Sequence, residues 1–155
     1  MRGSGVKKKR VPQLGENHRR GIATTLTLLD EALCEFEQWA GGRELRSVLY
    51  EERNALSPEQ RAKILAEVAQ MRERLRKLRD ALGLEGSVRD AATAIWGQCS
   101  GLWEHLVELE AKHLRRYGEL PPGLARYLDP QVAALLLHLR QISRSCSSPS
   151  QGELG

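Results

Sequence analysis

The sequence predicts an all-α protein, an antiparallel four-helix bundle with a flexible basic N-terminal arm and a disordered C-terminal tail. In four separate stretches the apolar residues recur every three or four positions, which is the spacing of one helix face. Segments containing Gly and Pro separate these stretches, and short connections favour antiparallel neighbours. Aromatic residues make up only 5% of the 155 residues, a composition that suits helix contacts better than β-sheets.

Charge and composition divide the chain into three parts. The first twenty residues carry seven Lys and Arg side chains against one Glu, although the formal charge of the whole chain is only +4. Like charges combined with Gly and Pro cannot offset the entropy of ordering, so we expect residues 1–14 to form a flexible arm. Residues 15–144 are predicted to be a single helical-bundle domain, and the Ser- and Gly-rich residues 145–155 a disordered tail.

The first predicted helix extends from about Glu16 to Ala40, where its apolar residues follow alternating steps of four and three. Gly41 and Gly42 end it, because glycine readily adopts the left-handed conformation of a helix C-cap. For residues 43–56 two interpretations stay open, a short helix or a packed loop. In the helical interpretation the inward-facing residues are Leu45, Val48 and Leu49.

The second predicted helix has the clearest start signal in the chain. Ser57 can cap the helix, Pro58 fits its first position, and Gln60 completes a capping box. The apolar spacing continues to Leu82, after which Gly83 ends the helix. The sequence therefore predicts a helix of about 25 residues here.

The third predicted helix begins with Ser87 as N-cap and Asp90 in its first turn, and it continues to Tyr117. Gly97 and Gly101 lie four residues apart within it, which predicts close approach of a neighbouring helix.

The fourth predicted helix follows a Pro-Pro-Gly turn and takes Asp129 as N-cap and Pro130 as its first residue. Its predicted inward-facing residues are Val132, Leu135, Leu136, Leu139 and Ile142.

One weak sequence pattern is compatible with catalytic chemistry. Glu110 and His113 match the ExxH spacing that ferritin-like bundles use for two metal ions, but such a site needs a second ExxH and further carboxylates. Gly-rich phosphate loops and GxSxG elbows do not occur in the sequence. We therefore predict no catalytic residue, no metal and no cofactor, and keep a metal-binding bundle enzyme as the least favoured alternative.

Clustered basic residues predict contact with nucleic-acid phosphates, largely independent of base sequence. The candidate binding residues are Lys7, Lys8, Lys9, Arg10, Arg19, Arg20, Arg72, Arg76 and Arg79. Acidic residues interleave with the last three, as on an ordinary solvated helix face. Trp96 and Trp103 lie seven residues apart on one helix face and are candidate interface residues for a protein partner or a second copy.

These patterns lead to a functional hypothesis and an alternative. We expect a non-enzymatic accessory or scaffold subunit of a larger complex, which contacts nucleic-acid phosphates through its basic residues. The alternative is a purely protein-protein adaptor or a homo-oligomeric bundle that binds no nucleic acid. Three widely separated cysteines and the lack of an apolar run of membrane length predict a cytoplasmic protein without membrane contact.

Overall fold

A computed structural model describes residues 13–147, and this part of the chain is helical apart from its turns and one isolated backbone bridge. The helices are α1 (Glu16–Ala40), α2 (Pro58–Leu82), α3 (Ala91–Val107), α4 (Ala111–Leu114) and α5 (Leu124–Ser145), with a 3-10 turn at Arg115–Tyr117. The predicted all-α class is confirmed for these residues. Most of the predicted arm and tail, residues 1–12 and 148–155, lies outside the described residues.

The chain divides into two compact units, Met1–Ser87 and Val88–Gly155. In the first unit α1 packs against α2, and in the second α3 packs against α5, which also contacts α4. Each unit is thus a helical hairpin. The prediction that all four long helices form one bundle, within a single domain, stays a prediction.

The first hairpin has the helix boundaries that its sequence signals predict. Ser57 accepts a hydrogen bond from the amide of Gln60 (3.1 Å) while the Gln60 side chain accepts one from the amide of Ser57 (2.9 Å), which completes the capping box. Gly83 ends α2 in the left-handed conformation with φ +61°. The contact with α1 buries Leu33 and Val68 almost completely.

The segment between α1 and α2 is a tight turn instead of a helix. The amide of Ser47 donates to the carbonyl of Tyr50 (2.8 Å), and the amide of Glu52 donates to the carbonyl of Leu45 (2.8 Å). Of the two interpretations of this segment, the short helix with inward-facing Leu45, Val48 and Leu49 is wrong. Leu45 is half exposed, and Val48 and Leu49 are almost fully exposed, because polar side chains hold the turn together.

Both ends of the third predicted helix require correction. The N-cap is Asp90, not Ser87, because the Asp90 carboxylate accepts a hydrogen bond from the amide of Thr93 (2.9 Å) and the helix begins at Ala91. The helix ends at Val107 instead of Tyr117, and a short helix, α4, follows.

The start of α4 depends on a side chain of α5. The amide of Ala111, a buried residue, donates to Oδ1 of Asp129 (2.9 Å), eighteen residues further along the chain. Asp129 was predicted to cap α5, but α5 already begins at Leu124, and Pro130 lies inside it. The Asp129 carboxylate is consequently available to the neighbouring helix.

Candidate functional site

The three arginines of α2 that were predicted to bind phosphates all have acidic partners. Each guanidinium group forms an ion pair with a carboxylate, and one of these pairs connects α2 to α1. The pairs are Arg72 with Glu37, Arg76 with Glu73 (3.1 Å) and Arg79 with Asp80 (3.1 Å). A polyanion would therefore have to compete with these carboxylates. Because exposed pairs are weak, such competition would weaken the binding of a polyanion without preventing it.

Arg19 and Arg20, the other described residues of the predicted phosphate site, are not gathered around Arg72. Arg19 and Arg20 lie in the first turns of α1, whereas Arg72 pairs with Glu37 near the end of that helix. Glu37 follows Arg20 by seventeen residues, about 25 Å of α-helix. Lys7, Lys8, Lys9 and Arg10 lie outside the described residues. The described part of the predicted nucleic-acid site is therefore spread along the first hairpin.

The two tryptophans of α3 have different surroundings. Trp96 is half exposed, with 46% of its surface accessible. Trp103 is partly buried, and the guanidinium of Arg140 lies 5.1 Å from the centre of its ring. This cation–π contact joins α3 to α5 and holds Arg140 in place. Neither observation identifies a partner for these side chains.

A cavity of about 250 Å³ lies between α3 and α5, next to this contact. Two arginines one helical turn apart, Arg140 and Arg144, line one side of it, and no ion pair of residues 13–147 involves either of them. Its lining residues are Cys99, Ser100, Trp103, Leu139, Arg140, Ser143 and Arg144. Arg140 and Arg144 are not among the predicted site residues, although their spacing of four and the lack of acidic residues between Pro130 and Ser145 could have indicated them.

A row of exposed apolar residues runs along the other flank of the same hairpin. The buried residue at the centre of the contact is Cys99 in α3 and Val132 in α5. On a helix, the residues four positions before and three positions after a given residue lie on the same flank. α3 and α5 are antiparallel, because Ala111, just after α3, contacts Asp129 near the start of α5, whereas Trp103 contacts Arg140 further along α5. In such a pair the two flanks lie on the same side of the hairpin, opposite the Trp103–Arg140 contact. The apolar residues on that side are Ile95 (41% exposed), Leu102 (49%), Leu135 (52%) and Ile142 (49%).

Two predictions about the packing of α3 and α5 are wrong. Leu135 and Ile142 were predicted to face inward, but one partner helix covers only the centre of the apolar stripe of α5. A Cβ atom added at Gly97 or Gly101 would meet no atom within 4 Å in the part of the chain that the structure describes. The close helix approach predicted at these glycines is therefore absent among residues 13–147.

The most densely bonded polar cluster lies in the turn between α1 and α2. Glu52 accepts hydrogen bonds from Arg43 and from the hydroxyl of Tyr50 (2.7 Å), and the amide of Leu45 donates to it as well (3.2 Å). These donors, Arg43 above all, lower the pKa of the Glu52 carboxyl from 4.5 to about 2. The Arg43 guanidinium also lies over the ring of Trp39, at 5.1 Å from its centre. The cluster stabilises the turn, and none of its residues is among the predicted site residues.

The single ExxH pattern does not lie along one long helix. Glu110 is the N-cap of α4, and His113 belongs to that four-residue helix. No group of three or more His, Cys, Asp or Glu side chains that could hold a metal ion occurs within residues 13–147. No helix in this range is long and apolar enough to cross a membrane.

No family model, no curated protein and no solved structure matches this chain.

Proposed function

We propose that this chain is a non-enzymatic helical scaffold that associates with a second copy of itself through the open flank of the α3/α5 hairpin. The observation that carries the proposal is the row of half-exposed apolar side chains Ile95, Leu102, Leu135 and Ile142. Contiguous apolar surface of this kind marks protein interfaces, because its removal from water stabilises association. Two such hairpins, one from each copy, would form a four-helix bundle.

Charge favours a second copy over an unrelated partner. Residues 91–103 contain no Asp, Glu, Lys or Arg, and neither do residues 131–139. A two-fold contact places each surface against itself, so self-pairing here brings no like charges together. The surface offers no charge pattern by which it would select a different protein.

The size of the flank also fits a dimer. Two adjacent helices as long as α3 present a face about 25 Å long and about 20 Å wide. A standard protein interface buries about 800 Å² of accessible surface on each partner, which is comparable.

Sedimentation of the full chain tests this proposal with a matched pair of substitutions. Leu135 and Leu137 are both about half exposed on α5, but Leu137 lies off the open flank. We expect the unaltered protein to be a dimer, Leu135→Glu to raise the dimer dissociation constant at least about tenfold, and Leu137→Glu to leave it unchanged. A monomer at all accessible concentrations, or equal effects of the two substitutions, would contradict the proposal.

As a second role we propose non-specific binding of nucleic-acid phosphates, supported by the concentration of positive charge in the first twenty residues. Because Arg72, Arg76 and Arg79 are ion-paired, the proposed main contacts are Lys7, Lys8, Lys9 and Arg10 with Arg19 and Arg20. The three free thiols support a reducing, cytoplasmic setting for both roles.

A salt titration with labelled RNA and DNA tests the second role. We expect binding at about 50 mM salt that weakens steeply by about 200 mM, and a greater loss when residues 7–10 are changed to Gln than when Arg72, Arg76 and Arg79 are. An absence of binding at the lower salt concentration would favour the purely protein-protein adaptor. That adaptor would also keep its dimer after residues 1–14 are deleted.

A further inference from the structure

We propose that the cavity between α3 and α5 binds a phosphate ester with an aromatic substituent, a nucleotide, either free or as part of a nucleic-acid strand. The proposal rests on the residues that line the cavity, because Arg140 and Arg144 lie there together with the hydroxyl-bearing Ser100 and Ser143. None of the cavity's lining residues is acidic. This site lies in the second unit and does not depend on the residues near the N-terminus.

The charge of the cavity favours two negative charges over the single charge of a carboxylate. Two guanidinium groups contribute a charge of +2, which matches a terminal phosphate of about −1.5 to −2 at neutral pH or two successive phosphodiesters of a strand, which carry one negative charge each. The C-terminal end of α5 repels an anion with a partial charge of only about −0.5, which is smaller than the charge of +2 on the two arginines. The net electrostatic effect on an anion is therefore attractive. Guanidinium groups also match the geometry of phosphate oxygens, to which they can donate two parallel hydrogen bonds.

Arg140 is already restricted by a contact with Trp103 before a ligand binds. Its guanidinium lies over Trp103, in a contact that restricts the side chain at one edge of the cavity. Arg144 follows one helical turn later on the same side of α5. Since binding does not have to order a freely rotating Arg140, less conformational entropy is lost when the anion binds.

The rest of the cavity suits an aromatic group. Its volume of about 250 Å³ is more than a phosphate group alone requires. Leu139 and the buried Cys99 provide an apolar floor, and the partly buried Trp103 provides an aromatic edge. A nucleobase packs favourably against such side chains, and the packing depends little on which base it is.

Isothermal titration of the full chain separates these contributions, with adenosine monophosphate, adenosine, inorganic phosphate and single-stranded oligoadenylate as the probes. We expect adenosine monophosphate to bind more tightly than inorganic phosphate, and adenosine without phosphate to bind least. If only oligoadenylate binds, and Arg140→Gln and Arg144→Gln both weaken it, the site takes the nucleotide from a strand. No binding of any probe at about 10 mM overturns the proposal.

Substitutions locate the site. Arg140→Gln and Arg144→Gln should each weaken binding about tenfold or more, because each removes charge-assisted hydrogen bonds. Arg126→Gln is the matched control, since Arg126 is exposed on the same helix but does not line this cavity. Circular dichroism confirms that the variants fold, and Arg140→Lys, which keeps the charge, should recover part of the affinity.

Two results contradict the assignment. Unchanged affinity in both Arg140→Gln and Arg144→Gln, or an equal loss in Arg126→Gln, shows that the anion binds elsewhere. If oligoadenylate binding survives both cavity substitutions but disappears when residues 7–10 are changed to Gln, the cavity proposal is wrong while the proposed role of the N-terminal cations stands.

Discussion

Arg43 donates two hydrogen bonds to the carboxylate of Glu52, from Nε to Oε1 (3.1 Å) and from Nη2 to Oε2 (2.7 Å). This fork geometry is the strongest arrangement of an arginine and a carboxylate. The Glu52 side chain is only 8% exposed, so water competes weakly for it. The pair closes the turn between α1 and α2, and Asn54 strengthens that turn by donating to the carbonyls of Trp39 (2.7 Å) and Arg43 (2.8 Å).

Glu52 should make the stability of the protein depend on acid pH. Because its folded pKa of about 2 is below the ordinary 4.5, its contribution is fully present above pH 4.5 and is lost as the pH falls toward 2. Glu52→Gln should lower the melting temperature at neutral pH and reduce the acid-dependent loss of stability. Thermal denaturation between pH 2 and 7 measures both effects. The neighbouring Glu51→Gln is the control, and an identical pH profile for both variants would contradict this role.

Leu33 should be an energetic centre of the first hairpin. It is 1% exposed, so Leu33→Ala leaves a cavity and should lower the free energy of unfolding by about 2–5 kcal/mol. Leu28 on the same helix is 63% exposed, and Leu28→Ala should change it by less than about 0.5 kcal/mol. Urea denaturation compares the two variants. Similar losses would mean that Leu28 is buried in solution.

The helix cap of α2 should contribute measurably to stability. Ser57→Ala removes the acceptor for the Gln60 amide and should cost about 1 kcal/mol. Ser87, which resembles a cap in sequence, precedes α3 without capping it, so Ser87→Ala should have little effect. Denaturation of the two variants under the same conditions distinguishes them. A larger loss in Ser87→Ala would mean that α3 begins earlier in solution.

Asp129 should protect the start of α4. Asp129→Ala leaves the buried amide of Ala111 without its acceptor, which should cost about 1–3 kcal/mol. Asp129→Asn retains an oxygen at this position and should keep most of the stability. Hydrogen exchange at the Ala111 amide is the direct measurement, and exchange should become faster in Asp129→Ala. Unchanged exchange would show that another group, such as water, accepts this bond.

Local signals in the sequence predicted the elements that depend on a few adjacent residues. The Ser57 capping box and the Gly83 C-cap each act within one helical turn, and the structure has both as predicted. Ser87 and Asp90 are both competent caps, so the sequence alone does not decide between them, and hydrogen bonding to Thr93 selects Asp90.

Tertiary contacts account for what the sequence analysis missed. The end of α3 at Val107 could not be predicted because the next helix takes its N-terminal acceptor from Asp129, a distant residue. The ion pair of Arg72 with Glu37 requires the register of two helices. Leu135 satisfies a helical apolar pattern, but its burial depends on how many helices surround α5.

The division of the chain at Ser87 bears on how the protein is made. The principal packing partner of α1 is α2, and both belong to Met1–Ser87. Since a chain emerges from the ribosome with its N-terminus first, the first hairpin can fold before α5 has emerged. The second hairpin must wait for α5, so the newly made chain exposes the apolar residues of α3 until α5 is available to cover them.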